Sequence, residues 1–530
     1  MGHRPHLRRA PRGCRVIRVD AHGRARRGRD PRAEALRPPP GAPRLTGTPP
    51  RVAVIGGGIA GLAAATGLAE RGARVTVYER ESGLGGRLLG RPERLADGSR
   101  VTMSRGFHAF FRQYYNLRGL LRRVDGSLGM LTPLADYPLW HRDGLRDGFR
   151  GLPRTPPWNA AAFVARSEAF AWRDLTRIRP RAALSLLDVR VPEVYARFDG
   201  VSAASYLDAI GFPPAARHLA FEVFARSFFA DPRDFSAAEL VLMFHIYFLG
   251  SSEGLLFDVP REPFPHALWE PLAGYLARHG VRMRTQTPVE TVQPRDGGFT
   301  VVSEPGGEEV DAVVLALDTT GLRSLVERSP GLGDADWRSR VAGLRAAPPF
   351  LVSRLWLDRP VAADRPGFLG TSGYGPLDNV SVLDRWEGEA RRWAARTGGS
   401  VVELHAYAVA DGTDRAATEE QLTAHLHAVY PETRHARIID ARHEWRADCP
   451  LFEVGGHRRR PGVTTPHARL MLAGDLVRTD LPVALMERAA TTGFQAANAL
   501  LRQWGVRGQT LWTVPRAGRS AALRAAAALA

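Results

Sequence analysis

The residues best suited to chemistry lie within residues 51–80, RVAVIGGGIAGLAAATGLAERGARVTVYER. Gly56, Gly58 and Gly61 follow an apolar run with the spacing G-x-G-x-x-G. In such a unit the three glycines permit a tight turn, a close approach of the backbone to a pyrophosphate, and close packing of a strand on a helix. The amide groups that begin the helix then face the phosphate charge. The stretch therefore predicts a dinucleotide site, with a glycine-rich turn in a nucleotide-free α/β protein as the alternative.

An acidic residue and a second glycine-rich loop complete this unit. Glu79 ends the second predicted strand, 18 residues beyond the last of the three glycines, and its carboxylate can accept hydrogen bonds from an adenosine ribose. The loop 82–87 (SGLGGR) follows, with Gly85 and Gly86 beside the charged donor Arg87. Such a second loop suits a cofactor that lies extended through the domain. We therefore expect FAD rather than NAD, and an ordinary surface loop is the alternative.

The far end of the chain predicts another part of the same site. Residues 469–475 (RLMLAGD) form a predicted buried strand that ends at Gly474 and Asp475. Ligands bind at the carboxyl edge of open α/β sheets, so the Asp475 carboxylate can hold ribityl hydroxyls there. A helix is predicted at 482–503, with a proline in its first turn and a face of mostly small residues that starts at Met486. The positive end of its dipole would stabilise a flavin ring that becomes anionic on reduction.

At this point the sequence resembles a known superfamily. VAVIGGGIAGLAAA (52–65), GLGGR (83–87) and LAGD (472–475) are similar to motifs of the amine oxidase and phytoene desaturase flavoproteins. The resemblance covers about residues 51–503. It implies an α/β fold, with a Rossmann-type FAD-binding domain of the glutathione-reductase and amine-oxidase type and a discontinuous α+β substrate domain.

Two further stretches narrow the resemblance. SRGFHAFFRQYYNLR (104–118) and LPRTPPWN (152–159) are similar to the actinobacterial β-carotene desaturase/methyltransferases, also called isorenieratene synthases or carotene aromatases. This family implies a carotenoid β-ring that loses four hydrogens while one C1 methyl moves to C2. The superfamily also implies that the loop around His108 passes near the flavin ring, which makes His108 a catalytic candidate. A hydrogen-bonded structural histidine is the alternative.

The predicted cofactor contacts form one set. They are Gly56, Gly58, Ile59, Ala60, Gly61, Glu79, Arg80, Gly85, Gly86, Arg87, Val289, Gly474, Asp475 and Met486. No metal is expected, because His245, His425 and His427 have no accompanying ligand cluster. With two cysteines in the whole chain, a disulfide framework is excluded as well.

The length requires more than one domain, and the charge lies mostly near the ends. The chain has 530 residues, and all 73 of its Lys and Arg residues are arginine. Residues 1–50 hold 13 arginines against three acids, and we expect this segment to be disordered. The expected domains are a cofactor domain at 51–110, 270–345 and 460–503, a substrate domain at 111–269 and 346–459, and a basic Ala-rich tail at 504–530.

The Arg-rich segment 1–50 departs from the family and leaves three interpretations open. It could be an arm for nucleic acid or anionic lipid, a targeting leader, or sequence upstream of the true translation start. A secretory signal is disfavoured because the segment has no apolar core. We expect no nucleic-acid partner. A nucleic-acid arm would be tested by deleting residues 1–50, which should abolish binding and leave the flavin in place.

The expected partners are a carotenoid, a membrane surface and an unidentified electron acceptor. No stretch reaches the roughly 18–20 apolar residues of a membrane span. Residues 237–250 (AAELVLMFHIYFLG) suggest either a buried helix or a surface-inserting segment. Residues 221–229 and 240–249 suit an oily substrate, with a plain hydrophobic core as the alternative. Because carotenoids dissolve in bilayers, we expect peripheral attachment at the cytoplasmic face of the membrane.

Other functions share these motifs and stay open at this stage. The same fold serves acyclic carotene desaturases, isomerases, ketolases and amine oxidases. A related fold holds prenyl groups without catalysis, although intact glycines, Glu79, Arg87 and Asp475 argue against that alternative. Product mass and absorption spectrum would separate the enzymes, and the flavin content would separate an enzyme from a binding protein.

Overall fold

The computed structural model describes residues 18–19, 25–26, 30–134, 136–170, 178–179, 183–213, 216, 228–304 and 306–529. Its α-helices are Ile59–Ala69, Tyr115–Leu121, Trp158–Arg166, Glu193–Phe198, Ala203–Ile210, Ala237–Phe244, Glu270–Arg278, Thr319–Glu327, Ala335–Ala342, Gly388–Thr397, Arg415–Val429, Leu485–Gln503 and Ala521–Leu529. Within these ranges no helix is long and apolar enough to cross a membrane.

A parallel sheet positions the predicted cofactor residues, and it has five strands in the described part of the chain. Their order is Arg282–Arg284, Arg74–Tyr78, Arg51–Ile55, Ala312–Leu315 and Leu470–Leu472, and every neighbouring pair is parallel. The middle strands read RVAVI and AVVL and are almost wholly buried, as expected for a sheet that is covered on both faces. The carboxyl ends of these strands therefore meet at one edge, and the α/β prediction is confirmed.

Two helices pack closely beside this sheet because their contact residues are small. On helix Leu485–Gln503, a Cβ added at Gly493 would lie 2.2 Å from the Ala60 carbonyl oxygen of helix Ile59–Ala69. Ala490 and Ala497, which belong to the predicted small face, are fully buried. The predicted helix start at residue 482 is wrong. The backbone is still extended at Ala484, and the first helical residue is Leu485.

A second sheet, mixed but mostly antiparallel, carries the other half of the molecule. Its seven strands in the described ranges are, in order, Arg146–Asp147, Leu139–His141, Phe368–Ser372, Asn379–Val382, Ser400–Ala406, Phe350–Leu357 and Ile438–Arg446. Leu139–His141 pairs in parallel with Phe368–Ser372, and the remaining pairs are antiparallel. Strands Phe350–Leu357 and Ser400–Ala406 are both buried along their whole length.

Smaller sheets complete the architecture. They are Phe110–Phe111, Phe257–Pro260 and Leu131–Pro133; Val289–Arg295, Gly298–Ser303 and Gly306–Val310; Gly90–Arg94 and Arg100–Ser104; Arg18–Val19 and Ala25–Arg26; and Glu34–Leu36 with Leu511–Thr513. Strand Gly298–Ser303 pairs antiparallel with Gly306–Val310.

The described residues near the two ends of the chain pack on each other. Strand Glu34–Leu36 pairs antiparallel with Leu511–Thr513, and Arg519 forms an ion pair with the buried Asp30. The expectation of disorder is therefore wrong for residues 30–50, because pairing with residues beyond 503 gives this segment partners that its own composition does not reveal. Residues 1–17, 20–24 and 27–29 lie outside the described part of the chain.

The apolar segment 237–250 is part of the core. Helix Ala237–Phe244 is buried from Ala237 to Met243, and the π-helical turn His245–Leu249 continues it. The Glu239 carboxylate is held between two buried arginines, Arg460 and Arg488, each at 2.7 Å. The buried-helix interpretation is confirmed, and the surface-inserting alternative is wrong for this segment.

Candidate active site

A cavity of about 560 Å³ joins the carboxyl edge of the parallel sheet to a chamber in the second half of the molecule. Fourteen of the fifteen predicted site residues line it, including Gly58 at one end and Asp475 further along. Gly61 does not line the cavity. One continuous cavity therefore joins the first glycine turn to the start of helix Leu485–Gln503.

The first glycine turn is fixed by close backbone contacts. Gly56 has a φ of +110°, and a Cβ there would lie 2.3 Å from the Ala316 carbonyl oxygen. A Cβ at Gly61 would lie 1.9 Å from the Gly56 carbonyl oxygen. Gly56 thus allows the turn and Gly61 allows the helix to approach it, which explains why Gly61 sits behind the cavity wall.

The two glycine-rich loops form one cradle. The Gly85 amide donates to the Gly57 carbonyl at 2.9 Å. The space in front of Gly58 is open, since the atom nearest to an added Cβ would be the Gly86 Cα, at 3.7 Å. Trp269 supports the second loop from behind, because its indole N–H donates to the Leu88 carbonyl at 2.8 Å. Gly58, Ile59 and Ala60 line the cavity where the helix begins, and a helix start binds an anion favourably.

Glu79 lies at the end of its strand, beside the first turn. Its Oε2 accepts from the Gly57 amide at 2.8 Å, and its Oε1 accepts from the Glu81 amide at 2.9 Å. Burial raises the pKa of Glu79 above its usual value, although these amides oppose the shift. Arg80, the next residue, is largely exposed at the cavity and lies 3.6 Å from Asp318. The carboxylate is thus oriented before any ligand arrives.

Arg87 and Asp475 meet at the other end of the cofactor part of the cavity. Arg87 Nη2 lies 2.6 Å from Asp475 Oδ2. Although burial opposes a charge here, the Asp475 carboxylate raises the pKa of Arg87 above its usual value. Next to the pair, burial raises the pKa of the Cys449 thiol to about 11. The sequence predicts separate tasks for Arg87 and Asp475, whereas the structure places them in one ion pair.

His108 lies in the wall of the cavity. Its Nδ1 donates to the Gly106 carbonyl at 3.0 Å, and its ring meets Phe264 edge to face at 5.6 Å. Burial lowers the pKa of His108 to about 4, so the ring is neutral at physiological pH and Nε2 is its acceptor. His108 therefore has both features considered from the sequence: it makes a structural hydrogen bond, and it lies at the cavity.

The far chamber is lined by aromatic side chains from distant parts of the chain. Phe107 stacks on Phe368 with ring centroids 4.0 Å apart, and Phe111 meets Tyr247 at 4.6 Å. Phe229 also lines the chamber. Of the two stretches predicted to suit an oily substrate, each contributes one ring, Phe229 and Tyr247. Residues 221–227 lie outside the described part of the chain.

Sequence reasoning missed several residues of this chamber. They are Phe107, Phe111, Tyr114, Tyr137, Phe350, Phe368, Asn379 and Tyr407. Phe107, Phe111 and Tyr114 lie in the stretch 104–118 that carries the family resemblance, but nothing in it distinguishes cavity residues from core residues. The other residues come from separate elements. Their convergence produces a cavity that is polar near the glycine loops and apolar and aromatic beyond them, which suits a dinucleotide beside an oily substrate.

The comparisons with known proteins agree with this arrangement. The sequence matches the family described as flavin containing amine oxidoreductase over residues 59–501. It is 71% identical over 506 residues to a carotenoid phi-ring synthase from Streptomyces griseus, which covers 95% of this chain and 98% of that protein. A carotenoid phi-ring synthase from Chlorobaculum tepidum is 29% identical and covers 90% of this chain and 92% of that protein. The resemblance stated from the sequence is thereby confirmed.

A solved structure shows the same fold. A putrescine oxidase triple mutant superposes with a TM-score of 0.64 at 17% identity, covering 86% of this chain and 99% of that chain. At this identity the likeness concerns the fold alone.

Proposed function

The chain belongs to the family of flavin-containing amine oxidoreductases, and on this premise we propose that it is an FAD-dependent enzyme that converts a carotenoid β-ring into an aromatic ring. The observation that carries the proposal is the shared cavity, which runs from a dinucleotide turn into an aromatic chamber. The 71% identical relative named carotenoid phi-ring synthase supports the substrate class.

The residues of the cradle fit FAD. We assign the pyrophosphate to the amides at Gly58, Ile59 and Ala60, where a helix begins and no side chain fills the space in front of the glycine. Glu79 would accept from the adenosine ribose, and Asp475 from the ribityl chain. When bound, FAD supplies a two-electron acceptor for hydride.

The reaction can be balanced from the ring itself. A β-ring must lose four hydrogens to become aromatic, which corresponds to two hydrides and two protons. Loss of a hydride leaves a cation beside the quaternary carbon C1, and this cation favours a 1,2-shift of one C1 methyl to C2. Loss of a proton then restores a double bond, and a second two-electron oxidation completes the aromatic ring. The methyl group never leaves the substrate, so no methyl donor is needed.

The chain contributes to this reaction by its chamber walls. The apolar rings exclude water, which would otherwise trap a cation as an alcohol. The faces of Phe107, Phe111 and Tyr247 carry negative π-density that stabilises positive charge nearby. The proposal therefore assigns binding and charge stabilisation to the aromatic residues, and hydride removal to the cofactor.

The proposal is tested by expressing the full chain in a host that makes β-carotene. We expect a carotenoid that is lighter by four hydrogens per converted ring, with an unchanged number of carbon atoms and with aromatic ring protons in its NMR spectrum. The same host without the chain is the control. Unchanged rings or linear desaturation products alone would contradict the proposal. Protein that carries no flavin after gentle purification would instead favour a non-catalytic isoprenoid-binding function.

We also propose peripheral attachment to the cytoplasmic face of the membrane. Residues 237–250 no longer support this idea, since they are buried. Trp158 does support it, because 66% of its surface is exposed and it is the most exposed large apolar side chain among the described residues. In a liposome flotation assay, Trp158→Ala should bind more weakly than wild type, while Val201→Ala serves as the control for an exposed apolar residue elsewhere. Equal flotation of all three proteins would count against this role.

A further inference from the structure

A row of three hydrogen-bonded polar side chains ends at the wall of the aromatic chamber. Strand Ser400–Ala406 contains Glu403 and His405, and Tyr407 follows it directly. Because these three residues are two positions apart, their side chains lie on one face of the strand. Glu403 Oε1 lies 3.0 Å from His405 Nε2, and His405 Nδ1 lies 2.7 Å from the Tyr407 hydroxyl. Tyr407 itself lines the cavity.

The hydrogen bonds fix the direction in which protons can move. The Asn379 amide donates to the Tyr407 hydroxyl at 3.0 Å, so the hydroxyl hydrogen is directed to His405 Nδ1. His405 Nε2 then carries a hydrogen and donates to Glu403. The Phe107 amide also approaches His405 Nε2, but at 3.4 Å this contact is the weaker one. His405 is therefore an acceptor toward the chamber and a donor toward the carboxylate.

The carboxylate at the inner end is built to remain charged. Arg354 donates to Glu403 Oε2 from Nε at 3.0 Å and from Nη2 at 2.7 Å, and both side chains are buried. Although burial opposes ionisation, the Arg354 guanidinium lowers the pKa of Glu403 to about 2. A positive charge that forms on His405 would thus be paired at once.

Tyr407, at the outer end of this row of polar side chains, lies near the cofactor part of the cavity. Tyr407 packs with Cys449 and Phe350 in one small apolar cluster, and Cys449 in turn neighbours Arg87. His405 also packs under the loop that contains His108, since a Cβ added at Gly106 would lie 2.3 Å from His405 Cε1. The Tyr407 hydroxyl therefore lies where the cofactor part of the cavity meets the aromatic chamber.

We propose that Tyr407 is the group that takes the protons released during ring aromatisation, with His405 and Glu403 as the positioning residues behind it. This inference rests on the proposed function. In each two-electron oxidation one C–H bond breaks as a hydride, which FAD, when bound, would accept with its electron pair. A second C–H bond breaks toward the Tyr407 oxygen, and its electron pair stays in the ring as the new double bond. The Tyr407 hydroxyl proton moves to His405 Nδ1, so two oxidations release two hydrides and two protons.

A small second cavity lies beside Glu403, at the inner end of this relay. It measures about 30 Å³, enough for a water molecule, and it is lined by Glu403, Glu387 and Glu262 among others. Burial raises the pKa of Glu387 to about 7, so this carboxyl can exchange a proton near physiological pH. Glu262 is partly exposed and connects this cavity to the surface. Glu403 stays charged and carries no proton onward, so this cavity contributes space for water and an exchangeable carboxyl beside the Glu403–His405 contact.

The test uses full-length, FAD-loaded protein with β-carotene in liposomes and host lysate as the source of the electron acceptor. We expect Tyr407→Phe and His405→Ala to form aromatic product about 100-fold more slowly than wild type while they retain their flavin. Imidazole should restore the His405→Ala rate, whereas pyrazole, which has the same shape but is a much weaker base, should not. Tyr430→Phe is the matched control, because it removes one hydrogen bond from a buried tyrosine, to the Pro366 carbonyl.

The outcomes separate this inference from the proposed function. Wild-type rates in Tyr407→Phe and His405→Ala would overturn the proton relay, and so would equal rescue by imidazole and pyrazole, which would indicate that His405 only fills space. If wild type gave a desaturated but non-aromatic carotenoid, the proposed function would fail. The relay would then still stand if the His405→Ala loss and the selective rescue by imidazole applied to that product.

Discussion

Replacing Gly61 by alanine should weaken the flavin site through the backbone alone. An added Cβ would lie 1.9 Å from the Gly56 carbonyl oxygen, whereas ordinary contact begins near 3.4 Å. The helix start and the turn must therefore separate by about 1.5 Å, the difference between these two distances. Gly61 touches no part of the cavity, so any effect on the cofactor has to pass through the geometry of the turn.

The size of the effect follows from what this displacement breaks. One amide-to-phosphate hydrogen bond contributes about 1.5–3 kcal/mol, so its loss should weaken FAD binding about 10- to 150-fold. Overpacking costs about 1–3 kcal/mol of unfolding free energy. The better helix propensity of alanine returns about 0.5–1 kcal/mol of that loss.

The assay is titration of the apoprotein with FAD, together with thermal unfolding followed by circular dichroism. Gly274→Ala is the matched control, because it lies within helix Glu270–Arg278 and its Cβ would meet only the Arg278 side chain, at 3.8 Å. We expect the control to bind FAD normally and to be about 0.5–1 kcal/mol more stable than wild type. Unchanged FAD affinity in Gly61→Ala would refute the reasoning.

Three further perturbations test other parts of the structure. Trp269→Phe leaves the Leu88 carbonyl without its donor, and we expect a loss of about 1–3 kcal/mol in stability with weaker FAD binding, measured by unfolding and titration. Gly106→Ala forces a side chain onto His405 at a φ of +92°, and we expect product formation to fall while flavin content stays normal; full activity would contradict this. Burial opposes the charge of Glu239, but its two arginines lower its pKa to about 2. The stability that this pair of contacts provides is therefore complete above about pH 4.5 and is lost as the pH falls toward 2. Glu239→Gln should lower the unfolding midpoint at neutral pH and flatten its dependence between these pH values, which a pH series of thermal melts would show.

The sequence by itself determined the cofactor half of this protein. Residues 51–87 contain a strand, a turn, a helix, a second strand and a second loop in one continuous stretch. The spacing of the glycines and Glu79 therefore depends only on local backbone geometry, which the sequence predicts. Parallel strands end at one edge of a sheet, and for that reason the strand before Asp475 could be placed at the same edge. The helix start at Leu485 could not be predicted, because nothing in the sequence marks the extended backbone at Ala484.

The tertiary structure alone decided what lies beside the cofactor. Arg87 and Asp475 are separated by almost the whole domain in sequence, and only packing makes them an ion pair. The strand pattern around His405 is that of a buried core strand, and nothing in its periodicity distinguishes a proton relay from a satisfied interior histidine. The chamber arises where rings from many elements converge. Such a surface depends on the relative placement of two sheets, a quantity that local propensity and spacing do not contain.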